Sequence, residues 1–377
     1  MRKVYLDNAA TTQLRPEVIA AMTKSLAEDY GNPSSTHSFG RHAKSIIELS
    51  RKSVAKNLNV SAQEIIFTSG ATESINWLLR NAIVTLNVKR IISSRIEHHA
   101  VIHAINHLEK EFSIAVDFVK VDGNGAINLS HLSELLAASD EKTLVSLMHV
   151  NNEIGTVLDL AKVSRLCKQY DAYFFSDTVQ SVGKTKIDLQ EVQADFIVAS
   201  AHKFHGPKGS GFLFIRKGIP LQPMFYGGEQ EKGVRPGTEA VHNVVGLSTA
   251  LDLASRKFEL EHAYIEGLRS YAARSFQSKF PGTKINGSYD GGFYNILNVC
   301  LPLSEDRAAM ILFQLDIKGI AVSRGSACQS GSVQPSHVLA EVLAGTDLKK
   351  PSLRISFSHY NTEEDIDYLM DALSDTK

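Results

Sequence analysis

Short apolar runs recur along most of the chain, separated by amphipathic stretches. They comprise Glu64–Thr68, Arg90–Ser93, Val116–Val119, Leu144–Met148, Ala172–Phe175, Phe196–Ala199 and Phe212–Ile215. Such runs suit strands buried on both faces, and their alternation with helical patterns implies βαβ units and a mostly parallel sheet. From Val241 to Phe276 helical periodicity continues with no internal proline. A helix of that length can leave one domain and enter the next. After Pro281-Gly282 the pattern changes: Asn295–Leu301 alternates like a strand, Asp306–Leu315 reads as a helix and Ala321-Val322 as a short strand. A polar loop over Arg324–Val333, a helix near Ser336–Leu343, a strand Leu353–Phe357 and a helix from Glu363 follow. The expected fold is α/β, a mostly parallel sheet flanked by helices, with a smaller α+β C-terminal domain. The large domain is expected over residues 15–255, and the small one over 1–14 and 256–377.

Composition removes several function classes. The 377 residues carry 40 Lys and Arg against 41 Asp and Glu, a net charge of −1. That balance leaves no electrostatic footprint for nucleic acid or an anionic membrane. No run reaches the length of a membrane span, and the N-terminus enters a strand-like segment without a signal peptide's apolar region. Three cysteines argue against a disulfide framework and for a reducing compartment, so a cytoplasmic location is expected.

Chemistry collects after the strands. Glu64–Thr68 is followed by Ser69-Gly70-Ala71-Thr72-Glu73-Ser74, small residues opening a helix whose N-terminus suits phosphate, although an ordinary capped turn reads the same way. Later strand ends deliver Glu97-His98-His99, then His149–Gly155, then Ser176-Asp177-Thr178-Val179-Gln180. Ser200-Ala201-His202-Lys203 comes last, with a glycine-rich turn behind it. Ligands of open α/β sheets sit outside the carboxyl ends of the strands, and a desolvated lysine amine there can bond a carbonyl. A lysine for an aldehyde, a carboxylate for a ring nitrogen, a flat histidine and a phosphate cradle together fit pyridoxal phosphate.

These residues also resemble a known family over nearly the whole chain. Tyr5–Thr12, Gly31-Asn32-Pro33-Ser34-Ser35, Thr68–Ser74, His149–Gly155, Ser200–Lys203, Gly233–Thr238 and Gly325-Ser326-Ala327-Cys328 are similar to the motifs of NifS/IscS-type cysteine desulfurases. Those enzymes belong to aminotransferase class V and have the fold type I of pyridoxal-phosphate-dependent transferases. The resemblance implies that Lys203 carries the cofactor, His98 stacks on its ring and Asp177 pairs with its ring nitrogen. Gln180 and Asn152 would address the ring oxygen and its surroundings. Ala71, Thr72, Ser200 and His202 would hold the phosphate, joined by Thr238 from the partner subunit of a homodimer. Asn32 and Arg354 would grip the carboxylate of L-cysteine.

Cys328 would take the substrate sulfur as a persulfide, with His98 a candidate for the proton transfer that activates it. A sulfur-acceptor protein, either an iron–sulfur cluster scaffold or a carrier for tRNA or thio-cofactor synthesis, is then an expected partner. Cys328 stands in a small, polar run, Ser323–Ser332, whereas Cys167 and Cys300 lie in segments patterned for the core. His99, His103 and His107 recur every four residues, a spacing also found at metal sites; with no cysteine or acid partner in the pattern, no metal is expected. A related lyase or aminotransferase, such as a selenocysteine lyase, is the alternative enzyme. A non-catalytic binding dimer would be expected to lack Lys203 or Asp177. Two departures from the family pattern, Gly227-Gly228 without a third glycine and Pro236 in place of serine, fall on the dimer-side wall.

Overall fold

The computed structural model describes residues 2–324 and 336–374. Its strands, in chain order, are β1 (Val4–Tyr5), β2 (Ile65–Thr68), β3 (Arg90–Ser94), β4 (Ala115–Val119), β5 (Thr143–Ser146) and β6 (Tyr173–Asp177). They continue with β7 (Phe196–Ser200), β8 (Gly211–Ile215), β9 (Lys284–Asn286), β10 (Ile296–Cys300), β11 (Ile320–Ala321) and β12 (Ser352–Ser356). A seven-stranded sheet runs β2-β8-β7-β6-β5-β3-β4. All its pairings are parallel except those of β8, which is antiparallel to both neighbours.

The expected apolar runs are these strands, and except at the edge strand β4 both faces are covered. Ile65, Phe67, Ile92, Val145 and Ile197 pack into one core, while their alternates Ile66, Ile91, Leu144, Phe196 and Val198 pack into the other. Each such buried side chain contributes roughly 1.5–3 kcal/mol, so the sheet is a stiff platform for whatever its edge carries. The other strand boundaries of this sheet fall within one residue of those expected, but the ends of two strands differ by more. β5 stops at Ser146 rather than Met148, and β6 runs on through Asp177, making the carboxylate the last residue of its strand.

Glycine is required where β8 begins. A Cβ on Gly211 would collide with the Ala199 carbonyl and come within 2.7 Å of Gly70 Cα. This close approach brings the turn after β2 against the end of β7.

The helix Val241–Lys279 spans 39 residues. Its first half (Val244, Leu247, Leu251) packs on the large sheet, and its second (Ile265, Leu268, Phe276) belongs to a separate apolar cluster. That cluster also holds Val4, Leu6, the antiparallel sheet β9-β10-β12 and the final helix Glu363–Ser374. β1 pairs in parallel with β11, which fastens the N-terminus to the C-terminal region. No described helix is long and apolar enough to cross a membrane.

Candidate active site

Every strand end of interest opens into one cavity of about 260 Å³. Ala71, Thr72, His98, Asn152, Asp177, Gln180, Ser200, His202, Lys203 and Arg354 line it, together with Ala9 and Ala10. The expected residues are therefore gathered by the fold, with three exceptions taken up below.

The phosphate end is built from β2 and β7. Gly70 precedes the helix Ala71–Val84 with φ 151° and no side-chain cap, a backbone shape only glycine adopts without strain. The first N–H groups of the helix thus face the cavity with no acceptor inside the helix. Ala71 N donates to Ser200 Oγ at 2.9 Å, tying the two strand ends together. Behind them Glu73 accepts from Ser69 N and from the Arg235 guanidinium. Burial alone would raise the Glu73 carboxyl, but these hydrogen bonds outweigh it and lower its pKa.

Lys203 ends the short helical turn after β7. Its Nζ donates to the carbonyls of Ala9 (2.8 Å) and Ala10 (2.9 Å). The N-terminal segment closes over the lysine because Thr12 N and Oγ1 both donate to the His202 carbonyl, each at 2.9 Å. Asp177, on the neighbouring strand, accepts from Val179 N at 3.0 Å. Burial pushes its carboxyl up to about 6, with that N–H and Lys203 opposing the rise. A cation placed beside it would return it to the ionised form.

His98 caps the helix His99–Phe112 by accepting from Ala100 N at Nδ1, 3.1 Å away. Burial, and then Lys203, depress its pKa to about 4, so the ring is neutral. With Nδ1 accepting, the proton sits on Nε2. A neutral ring can lie against another ring without a charge penalty, and this tautomer offers Nε2–H as a hydrogen-bond donor. The adjacent Glu97 is fully buried, accepts from Ser94 Oγ at 2.7 Å and is pushed up to about 8 by burial, which keeps it protonated at neutral pH.

Arg354, on β12, closes the far wall with its side chain only 2% exposed. Its Nη1 donates to the Asn152 carbonyl and its Nη2 to Asp7 Oδ1, each at 2.8 Å. Among the described residues its buried Nε has no hydrogen-bond partner. Arg354 and Lys203 outnumber Asp177, the carboxylate among the described residues lining this cavity, and the helix N-terminus adds further positive potential. A donor set this rich suits a ligand bearing a phosphate and a second anionic oxygen, and pyridoxal phosphate fits it.

Three expected residues are not part of this cavity as the single chain forms it. Asn32 is exposed and lies outside the cavity lining, with its Oδ1 accepting from Ser34 N within its own turn. Thr238 is exposed and lies away from its own chain's cavity lining. Cys328 falls outside the described residues. Cys167 and Cys300 are both buried, and burial raises both thiols, which makes them poor nucleophiles. The His99 ring lies 4.9 Å from His103 and 4.4 Å from His337, and among the described residues no three His, Cys, Asp or Glu side chains are placed to hold a metal.

The sequence reading assigned no role to the Ala9 and Ala10 carbonyls, Asp7, Glu97 or Lys184. Asp7, Ala9 and Ala10 lay inside the Tyr5–Thr12 motif, and Lys184 four residues beyond Gln180, which were the available signals.

Comparison with known proteins gives concordant results. The aminotransferase class-V family model matches residues 4–369. A Dictyoglomus turgidum protein named cysteine desulfurase IscS is 40% identical over 374 residues, covering 99% of this chain and 94% of the relative. A Clostridium botulinum protein of the same name is 40% identical over 375 residues with the same coverage. A NifS-like protein of known structure superposes with a TM-score of 0.91 at 35% identity, covering 99% of both chains.

Proposed function

The chain belongs to the aminotransferase class-V family and, like the relatives it matches end to end, is a pyridoxal-phosphate-dependent cysteine desulfurase; we propose that it performs this reaction with the residues gathered at the sheet edge, converting L-cysteine to L-alanine and passing the sulfur to Cys328. The observation that carries the assignment is the convergence of Lys203, Asp177, His98 and an uncapped helix N-terminus on one cavity.

When bound, the cofactor supplies an electron sink for charge developing at the substrate α-carbon. Lys203 is its attachment point and the base for the α-proton. Ala71, Thr72, Ser200 and His202 hold the phosphate through N–H, hydroxyl and ring donors. Asp177 pairs with the ring nitrogen, and that cation restores the carboxylate which burial disfavours. His98 stacks as a neutral ring, while Gln180 and Asn152 address the ring oxygen and its surroundings. Arg354 takes the substrate carboxylate, and its partnerless Nε supports that role. The Cys328 thiolate then attacks the substrate sulfur: an S–S bond forms, the Cβ–S bond breaks, and its electron pair stays with the carbon skeleton that takes up protons to leave as alanine. His98 is the proposed group for the proton transfer that activates the Cys328 thiol.

Arg354→Ala should raise the KM for cysteine steeply, since truncating one side of a buried charge pair costs about 2–5 kcal/mol. Steady-state kinetics alongside cofactor absorbance checks this. An unchanged KM with full cofactor would assign the carboxylate to another residue, and Arg235 is already committed to Glu73.

The functional unit is proposed to be a homodimer in which Thr238 reaches the phosphate of the neighbouring subunit. Support comes from the loop before it, where Met224, Phe225 and Tyr226 are exposed, Tyr226 at 91%. An apolar cluster of this kind on a surface commonly marks an interface. Thr238→Val removes a hydroxyl at constant shape and should weaken cofactor retention by about 1.5–3 kcal/mol. Light scattering reads the assembly, and a fully active monomer at low micromolar concentration would refute the shared site. Asn32 is assigned to the substrate carboxylate through its Nδ2 donors, since Oδ1 is the atom that accepts from Ser34 N.

The division into domains at residue 255 is proposed on the separate apolar clusters served by the two halves of the long helix. A cytoplasmic location is proposed from the sparse cysteines, two of them buried free thiols. The sulfur acceptor is proposed to be a scaffold or carrier protein that meets the Cys328 persulfide.

A further inference from the structure

We propose that Lys184 is a positioning residue that fixes the orientation of the Gln180 amide, so that this side chain offers the cofactor an N–H and not an oxygen. The inference rests on the reading above that Gln180 addresses the ring oxygen.

Lys184 is 6% exposed and its Nζ donates to Gln180 Oε1 at 3.0 Å. At the other end of the same amide, Gln180 Nε2 donates to the Ala9 carbonyl at 2.8 Å. A backbone carbonyl can only accept, and Lys184 in its ammonium form can only donate. The two partners therefore exclude the flipped amide, which would set oxygen against oxygen and nitrogen against nitrogen. One N–H of Gln180 is spent on Ala9, and the second is the hydrogen the residue has left to give. The Ala9 carbonyl also receives Lys203 Nζ, so the lysine that holds the cofactor and the amide beside it share one acceptor.

Packing alone does not account for a lysine here. Among the described residues no carboxylate pairs with Lys184, and the charges that face it are Lys203 and Arg354, with His202 and His205 nearby. Burial, followed by these two cations, lowers its pKa to about 7. A buried amine without a counter-charge weakens the fold, and an apolar side chain of similar length would stabilise it. The lysine is intelligible as part of a site that receives an anionic ligand, where its hydrogen bond to Gln180 has a use.

The test is the pH midpoint of the visible band of protein reconstituted with pyridoxal phosphate, read by absorbance and independently of turnover. A donor at the ring oxygen favours the ionised oxygen and lowers that midpoint, so Lys184→Met should raise it by about one pH unit. Melting of the cofactor-free Lys184→Met protein should be unchanged or higher. Lys184→Gln, which retains an N–H donor, should return most of the midpoint shift. A midpoint unmoved in Lys184→Met, a shift equally large in Lys184→Gln, or a Lys184→Met protein that melts lower or fails to fold would each assign Lys184 to structure and overturn the proposal. Failure of the wild-type protein to take up the cofactor at all would instead overturn the reading of Gln180 on which it rests.

Discussion

Lys203→Ala should lose desulfuration by about 10²–10⁴-fold, the range for removing a positioned proton-transfer group, and should lose covalent attachment of the cofactor as well. In the wild type, borohydride should fix the cofactor to the peptide containing Lys203. In the variant the same treatment should leave that peptide unlabelled. The fold should survive, because the amine sits at the cavity edge with the Ala9 and Ala10 carbonyls as acceptors and lies outside the apolar packing of the sheet. Those carbonyls can turn to solvent in the opened cavity. A variant that keeps a reducible covalent link would move the attachment to another amine, with Lys184 the nearest candidate to examine.

The second large effect is expected at Cys328. Cys328→Ser should bind the cofactor normally, since none of the residues lining the cavity is changed. It should nonetheless form no persulfide, and its alanine production should fall on the order of 10³-fold or more, as loss of a nucleophile commonly produces. Serine oxygen is protonated at neutral pH and makes no stable bond to sulfur equivalent to a persulfide. The other two thiols offer no substitute, because burial disfavours the thiolate at both Cys167 and Cys300. Near-normal sulfur release from the variant would show that the substrate's sulfur leaves without a protein thiol.

The parts of this account legible in the sequence share a physical cause. Strands β2, β3, β5 and β7 are covered on both faces, so burial wrote itself as unbroken apolar runs. Lys203, Asp177 and His98 were legible because each lies at, or a few residues past, the end of such a strand, at the edge where open sheets bind ligands. Boundaries were less clear: Asp177 read as lying past its strand because a carboxylate breaks the apolar pattern, yet its backbone continues the ladder.

Partners distant in sequence left no periodic trace. Arg354 meets Asp7 across 347 positions, and Lys203 meets Ala9 across 194, so neither contact shows in local spacing. Glu97 was hidden for another reason. Its neighbours His98 and His99 are polar, and only the assembled fold reveals a carboxyl 1% exposed that accepts from the Ser94 hydroxyl. Asn32 and Thr238 rested on resemblance alone, and the single chain leaves both side chains at its surface.

The most direct test of the central claim is to mix the cofactor-loaded protein with L-cysteine, quench, and map the protein by mass spectrometry under non-reducing conditions. The account predicts the added mass of one sulfur atom on the peptide containing Cys328, accumulating in step with L-alanine and absent after treatment with a reducing agent. Alanine release with no sulfur on that peptide, or sulfur found on Cys167 or Cys300 instead, would contradict it.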